Sequence, residues 1–160
     1  MSDLRVGLGV DAHAFADGSP LVLGGVRFDY PRGLAGHSDG DVITHALIDA
    51  LLGAAALGDI GSLFPSEGST PEGIDSLELL RDAYARVREA GYELVNADCV
   101  LIGQEPRIAD RRGELEAKLS EVVAAPVSVR ATTTDHLGFT GRGEGLAAQA
   151  VALLDAVKRV

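Results

Sequence analysis

Apolar residues follow two rhythms along this chain. The run Val6 to Val10, closed by Asp11 and His13, predicts a strand over Arg5 to Asp11. Leu21-Val22-Leu23 and Val26-Arg27-Phe28 flank Gly24-Gly25, whose tolerance of positive φ suits a primed turn, so they predict a hairpin. Ala46 to Leu57 has the composition of a helix, entered through His37-Ser38-Asp39-Gly40-Asp41, where Ser38 or Asp39 is placed to cap it. A further helix is punctuated at both ends. Asp75 can cap it, with Glu78 three residues on as in a capping box; Leu77, Leu80, Tyr84 and Val87 form its apolar stripe, and Gly91 ends it. Leu94 to Ile102 then predicts a strand, Arg112 to Val123 a helix with Pro126 beyond it, Val127 to Ala131 a short strand, and the Ala- and Leu-rich stretch Leu146 to Val157 a closing helix. Strands alternating with helices predict a two-layer α/β domain.

Two stretches resist this pattern. Gly58 to Ile74 carries Gly58, Gly61, Pro65, Gly68, Pro71 and Gly73, which is too much punctuation for an element and long for an idle connection, so it is a functional loop or a mobile one. Thr132 to Gly145 carries four glycines before the last apolar segment.

With 160 residues the chain can build one core, so a single domain over 1–160 is expected. Apolar residues make up 46% of it, yet charges such as Asp49 break every long apolar stretch, which excludes a membrane span. Met1 to Arg5 is polar and leads straight into a strand, with no signal or transit peptide pattern, so a cytoplasmic protein is expected. The one cysteine, Cys99, lies in the apolar run Asp98 to Ile102 and reads as a buried, inert thiol. A net charge of −10 with scattered Lys and Arg argues against nucleic-acid binding. An acidic protein that handles an anionic small molecule must offset its own field locally, through metal ions or helix N-termini.

Candidate chemistry gathers in three places. Residues two apart on a strand share a face, so Asp11 and His13 can reach one object together, and a helix packed on that strand end can bring His45 to it. Two imidazoles and one carboxylate suit zinc with an open fourth position. Asp41, His45 and Asp49 recur every four residues on an otherwise apolar helix, a stripe that either faces solvent or finds partners. Asp49 is placed either to support His45 from behind a metal or to be an ordinary surface acid. His37 stands at the helix entrance, where it either meets a docked anion or is an exposed loop histidine. Thr132-Thr133-Thr134-Asp135 followed by Gly138 to Gly145 either extends a strand or forms a phosphate cradle of hydroxyls, freed amides and one guanidinium. No Walker lysine, dinucleotide fingerprint, Gly-x-Ser-x-Gly elbow or Cys–His pair is present. Metal ligands plus phosphate-binding loops point to phosphoryl transfer without a covalent intermediate.

Taken together, Gly9-Val10-Asp11-Ala12-His13-Ala14-Phe15, Gly36-His37-Ser38-Asp39-Gly40-Asp41, Gly58-Asp59-Ile60-Gly61 with Phe64-Pro65, and Thr132 to Gly145 resemble the 2-C-methyl-D-erythritol 2,4-cyclodiphosphate synthases of non-mevalonate isoprenoid synthesis, from about Arg5 onward. The resemblance implies an α/β (α+β) fold: a single two-layer domain with a mixed β-sheet, helices on one face and a β-hairpin, assembling as a homotrimer with active sites between subunits. It implies closure of 4-diphosphocytidyl-2-C-methyl-D-erythritol 2-phosphate to the cyclic diphosphate with release of CMP. By position, Asp11, His13 and His45 would hold Zn2+ and Asp135 a second divalent ion, Mg2+ or Mn2+. His37 and Thr133 would steady the transition state. Ser38, Asp59, Ile60 and Gly61, with Phe64, Pro65, Ser66, Glu67 and Gly68, would surround the methylerythritol unit. Gly103, Gln104, Glu105, Pro106, Arg107, Ile108 and Ala109, with Thr132, Thr133 and Thr134, would receive the cytidine and its phosphates. Phe139 and Arg142 match positions near a central cavity that can hold an isoprenoid diphosphate. Asp135 stands where the family usually has Glu, and His136 where Lys is common. A zinc-dependent nucleotide phosphohydrolase and a non-catalytic trimer binding isoprenoid diphosphates are the rival expectations.

Overall fold

In chain order the elements are β1 (Leu4–Ala16), β2 (Leu21–Leu23), β3 (Val26–Phe28), β4 (Gly33–Leu34), α1 (Val42–Ala54), α2 (Ile60–Leu63), α3 (Ser76–Glu89), β5 (Tyr92–Ile102), α4 (Arg112–Val123), β6 (Val127–Thr132), α5 (Gly138–Gly141) and β7 (Gly145–Ala156). This computed structural model describes residues 2–68 and 70–158. Met1, Ser69, Arg159 and Val160 lie outside the described residues, and with them the extreme positions of the expected 1–160 domain, the first residue of the polar start and one position of the Gly58 to Ile74 stretch.

Strand β1 sets how the layers meet. Its odd positions Gly7 and Gly9 are buried, while Leu4, Val6, Leu8 and Val10 on the opposite face are exposed. A Cβ on Gly9 would fall 1.8 Å from the Ala46 carbonyl oxygen, and one on Gly7 would fall 2.0 Å from that of Ala50. Helix α1 therefore lies directly on the strand backbone, presenting Ala46, Ala50 and Ala54, all buried. The main sheet runs β4-β1-β7-β5-β6. Only the β5–β6 pair is parallel, and the other three pairs are antiparallel, so the sheet is mixed. Helices α1, α3 and α4 cover one face, and β2–β3 form a separate hairpin whose Gly24 and Gly25 both take positive φ, as a primed turn requires. The result is a single α+β domain of two layers, as expected from the sequence.

The expected closing helix over Leu146 to Val157 is instead the central strand β7, bonded to β1 on one side and β5 on the other. Its Ala and Leu content favours a helix, but register decides: Ala152 stands beside Gly7, Ala150 beside Gly9 and Ala148 beside Asp11. These positions form the trough in which α1 lies, so alanine is required there for its size, and tertiary packing overrides propensity. The period-two burial of Ala148, Ala150, Ala152 and Leu154 against Gln149 and Val151 carries the strand signal.

Smaller differences concern caps. Asp41, not Ser38 or Asp39, caps α1. Asp75 caps α3 by accepting from the Leu77 N–H at 2.9 Å, and no reciprocal bond from Glu78 completes a box among the described residues. Strand β1 runs five residues beyond Asp11, because β7 and β4 continue the ladder to Ala14 and Ala16. Cys99 is fully buried beside Ala150, and burial pushes its thiol up to about 12, so it is inert. Among the described residues no helix is long and apolar enough to cross a membrane.

Gly9→Ala forces a methyl into the α1 backbone and is expected to lower the unfolding free energy by about 2–4 kcal/mol in urea denaturation. Gly53→Ala, on the open side of the same helix with no heavy atom within 4 Å of the new Cβ, is expected to raise it by about 0.5–1 kcal/mol.

Candidate active site

With α1 seated on β1, His45 projects toward the strand end that carries Asp11 and His13. Asp11 Oδ2 lies 2.7 Å from His13 Nε2 and 3.1 Å from His45 Nδ1, and the two ring nitrogens are 3.1 Å apart. Three donor atoms from β1 and α1 thus point at one spot. Each imidazole is held from behind. Pairing of Phe15 with Leu34 brings the Ala35 carbonyl to His13, whose Nδ1 bonds it at 2.6 Å. His45 Nε2 lies 2.9 Å from Ser38 Oγ and 2.8 Å from Ser76 Oγ. Both rings are therefore held with one nitrogen toward Asp11, the orientation that outer partners give metal-bound histidines.

Burial alone would raise the Asp11 carboxyl, but hydrogen bonds from His13 and His45, with their charge, outweigh it and lower it to about 2. Burial likewise pulls His13 down, and Asp11 more than reverses that, leaving it raised. The donor set fits a divalent ion: tetrahedral zinc ligands at about 2.0–2.1 Å stand about 3.3 Å apart, so a small opening of the three side chains makes room.

The neighbouring acids have other work. Asp41 is fully buried and accepts four bonds: from the N–H groups of Gly24 (2.8 Å), Gly25 (2.7 Å) and Thr44 (3.1 Å), and from the Thr44 hydroxyl (2.7 Å). It ties the β2–β3 turn to the start of α1, while burial raises its carboxyl. Asp39 accepts from the N–H groups of Asp41 and Ser76, joining α1 to α3. Asp49 does not support His45: it accepts from the Ile60 N–H at 2.8 Å and fixes the α2 turn. So the expected polar stripe of Asp41, His45 and Asp49 divides into a buried anchor, a candidate ligand and a loop clamp.

A cavity of about 190 Å³ opens over the three candidate ligands. His37, Ser38, Ile60, Gly61, Phe64 and Ser66 line it as the sequence suggested, whereas Asp59, Pro65, Glu67 and Gly68 flank it. Asp59 spends its carboxylate on a capping box with Ser62 that shapes the turn. Thr70 and Leu79 were not foreseen: Leu79 enters from α3, and the Thr70 carbonyl meets His37 Nε2 at 2.8 Å. Neither carries a motif; only the buried face of α3 could have pointed to Leu79.

The remaining candidates assemble elsewhere. Ile102 pairs with Thr132, the Gly103 N–H bonds the Thr132 carbonyl at 3.0 Å, and the His136 N–H reaches Gln104 Oε1 at 3.4 Å, so the 103–109 loop and the Thr132 to Asp135 turn form one patch. Thr133 and Asp135 are exposed, and Asp135 takes a positive φ of 57°. Arg142 pairs with Glu144 at 2.8 Å, and Phe139 is exposed. This patch lies at the same sheet end as Asp11 but two to three strands away, about 10–14 Å by strand spacing.

Asp41→Ala leaves buried N–H groups unpaired and is expected to cost at least about 3 kcal/mol in urea denaturation.

Comparison with known proteins places this geometry. The YgbB family pattern matches residues 4–155. A 2-C-methyl-D-erythritol 2,4-cyclodiphosphate synthase of Escherichia coli O1:K1 is 53% identical over 94% of this chain and 97% of its own length. That of Moorella thermoacetica is 55% identical over 94% of each. Among solved structures, a 2C-methyl-D-erythritol-2,4-cyclodiphosphate synthase in a CDP-bound form superposes with a TM-score of 0.86 at 38% identity, covering 94% of this chain and all of that one. The bifunctional IspDF from Campylobacter jejuni superposes with a TM-score of 0.94 at 40% identity; this chain is covered to 99% and spans 44% of that longer chain.

Proposed function

The chain belongs to the YgbB family and is a cyclodiphosphate synthase, and we propose the following account of how its residues act. The substrate is 4-diphosphocytidyl-2-C-methyl-D-erythritol 2-phosphate. An oxygen of its 2-phosphate attacks the β-phosphorus, the bond from that phosphorus to the oxygen bridging it to the α-phosphate breaks, and the electron pair leaves on CMP. This makes the enzyme a phosphorus–oxygen lyase. The observation that carries the account is the convergence of Asp11, His13 and His45 beneath a cavity lined by His37 and Ser38.

A phosphate monoester has its second pKa near about 6 and is already largely dianionic at neutral pH, so the nucleophile needs no general base. The obstacle is the approach of one anion to another. Zinc held by Asp11, His13 and His45, and Mg2+ or Mn2+ held at Asp135, would neutralise charge on the diphosphate as Lewis acids. His37 and Thr133 donate hydrogen bonds to the phosphoryl oxygens as charge shifts toward the leaving group. Ser38, the Asp59 to Gly61 turn and the loop from Phe64 to Gly68 hold the methylerythritol unit, and the capping box of Asp59 with the clamp of Asp49 keeps that turn in place. The 103–109 loop and Thr132 to Thr134 hold the cytidine and its phosphates. Gripping one molecule at both ends supplies the proximity that cyclisation needs.

As the resemblance implies, a neighbouring subunit supplies the second grip, in a homotrimer. Supporting this, the sheet face opposite the helices leaves Val6, Leu8, Val10 and Val151 exposed, an apolar area of the kind that subunit contacts cover. Phe139 and Arg142 stand where a central cavity would receive an isoprenoid diphosphate. The whole of 1–160 acts as one synthase domain, in the cytoplasm and without nucleic acid.

Phosphorus NMR of the product tests the account: cyclic diphosphate and CMP are expected, and an open-chain product would instead indicate a hydrolase. His45→Ala is expected to abolish both stoichiometric zinc, read by metal analysis, and turnover, with the fold retained by circular dichroism. Thr133→Val is expected to slow turnover by about 10²-fold with zinc content unchanged, read by steady-state kinetics beside metal analysis.

A further inference from the structure

Ser76, the first residue of α3, is fully buried and turns its hydroxyl away from its own helix. Its Oγ lies 2.8 Å from His45 Nε2 and in short contact with Oδ1 of Asp39, whose Oδ2 accepts the Ser76 N–H at 3.0 Å. Asp39 also accepts the Asp41 N–H, so its carboxylate is an acceptor throughout. The Ser76 proton accordingly goes to Asp39. The Ser76 oxygen is then left to accept from His45 Nε2–H, so Nδ1, the nitrogen aimed at Asp11 and His13, is the one that gives its lone pair to a metal when the proton it shares with Asp11 is displaced.

We infer that Ser76, oriented by Asp39, is a positioning residue that locks the His45 tautomer and so sets the affinity of the metal site. The inference rests on the metal reading above. Ser38 Oγ is also close to His45 Nε2, at 2.9 Å, but Ser38 is half-buried, lines the cavity and is placed to turn toward substrate. Ser76 has no such freedom: Asp75 caps its helix, and its own N–H is held by Asp39. Two bonds from one carboxylate make the acceptor permanent. Outer partners of this kind typically govern metal affinity by about 10- to 100-fold.

The test uses Ser76→Ala, which removes the hydroxyl and leaves the N–H bond to Asp39 and the Asp75 cap. Zinc affinity, read by competition with a chromogenic chelator, is expected to fall about 10- to 100-fold. In the zinc-loaded proteins, nitrogen-15 NMR is expected to show the His45 Nε2 proton held in a hydrogen bond and slow to exchange with water in the wild type, and exchanging freely in the variant. Wild-type protein that takes up no zinc overturns the metal reading and this inference with it. Wild-type protein that takes up zinc while Ser76→Ala binds it equally well overturns this inference alone. If the variant fails to fold, the wild-type spectrum decides: a His45 Nε2 proton that exchanges freely with water overturns the inference.

Discussion

Everything at the site depends on how closely α1 can approach β1. A helix normally stands about 10 Å from a sheet because side chains from both layers fill the gap. Here the strand offers Gly7 and Gly9 and the helix offers Ala46, Ala50 and Ala54, so backbone meets backbone. A histidine on α1 one residue before Ala46 then reaches the strand end within hydrogen-bond distance. The small residues do more than tolerate each other. They set the depth at which His45 stops, and a larger residue at either glycine would push the imidazole away from Asp11 and His13.

That constraint also explains which parts of the structure were readable from the sequence. The hairpin, α3, α4 and β6 follow local rules of turn and cap chemistry, and their boundaries agree with the pattern to within a few residues. The triad of Asp11, His13 and His45 was readable because strand alternation puts the first two on one face and an apolar helix makes a polar side chain conspicuous. Strand β7 was not, because its alanines answer to the trough beneath α1 and not to local propensity; that trough exists only in three dimensions. The roles of Asp39, Asp41 and Asp49 were unreadable for a related reason. Ser76, Gly24 and Gly25 come from elements that chain order does not place beside Asp39 and Asp41, and Ile60, the partner of Asp49, lies in the glycine- and proline-rich stretch that carries no element pattern.

The acids around α1 divide by the donors they meet. Asp41 and Asp39 spend their oxygens on backbone N–H groups, joining the hairpin and α3 to the helix entrance, and Asp49 spends one on the α2 turn. Asp11 alone meets imidazoles, whose nitrogens can exchange a proton for a cation. So an acidic segment concentrates its candidate coordinating chemistry at a single point, with the neighbouring Asp39 and Asp41 already engaged as acceptors.

The sheet then imposes a division of labour. Its ladder puts Ala12, Ala147, Ile102 and Thr132 in one row, so the strand end with the candidate metal ligands shares an edge with the loops of β5 and β6, separated from the first by β7 and from the second by β7 and β5. No side-chain rotation closes that gap, because the spacing is set by backbone hydrogen bonds. In the proposed homotrimer a second copy of the chain would present its β5–β6 edge to the Asp11 end of the first. The uncovered apolar side of the same sheet, with Val6, Leu8, Val10 and Val151 exposed, is the surface that copy would pack against.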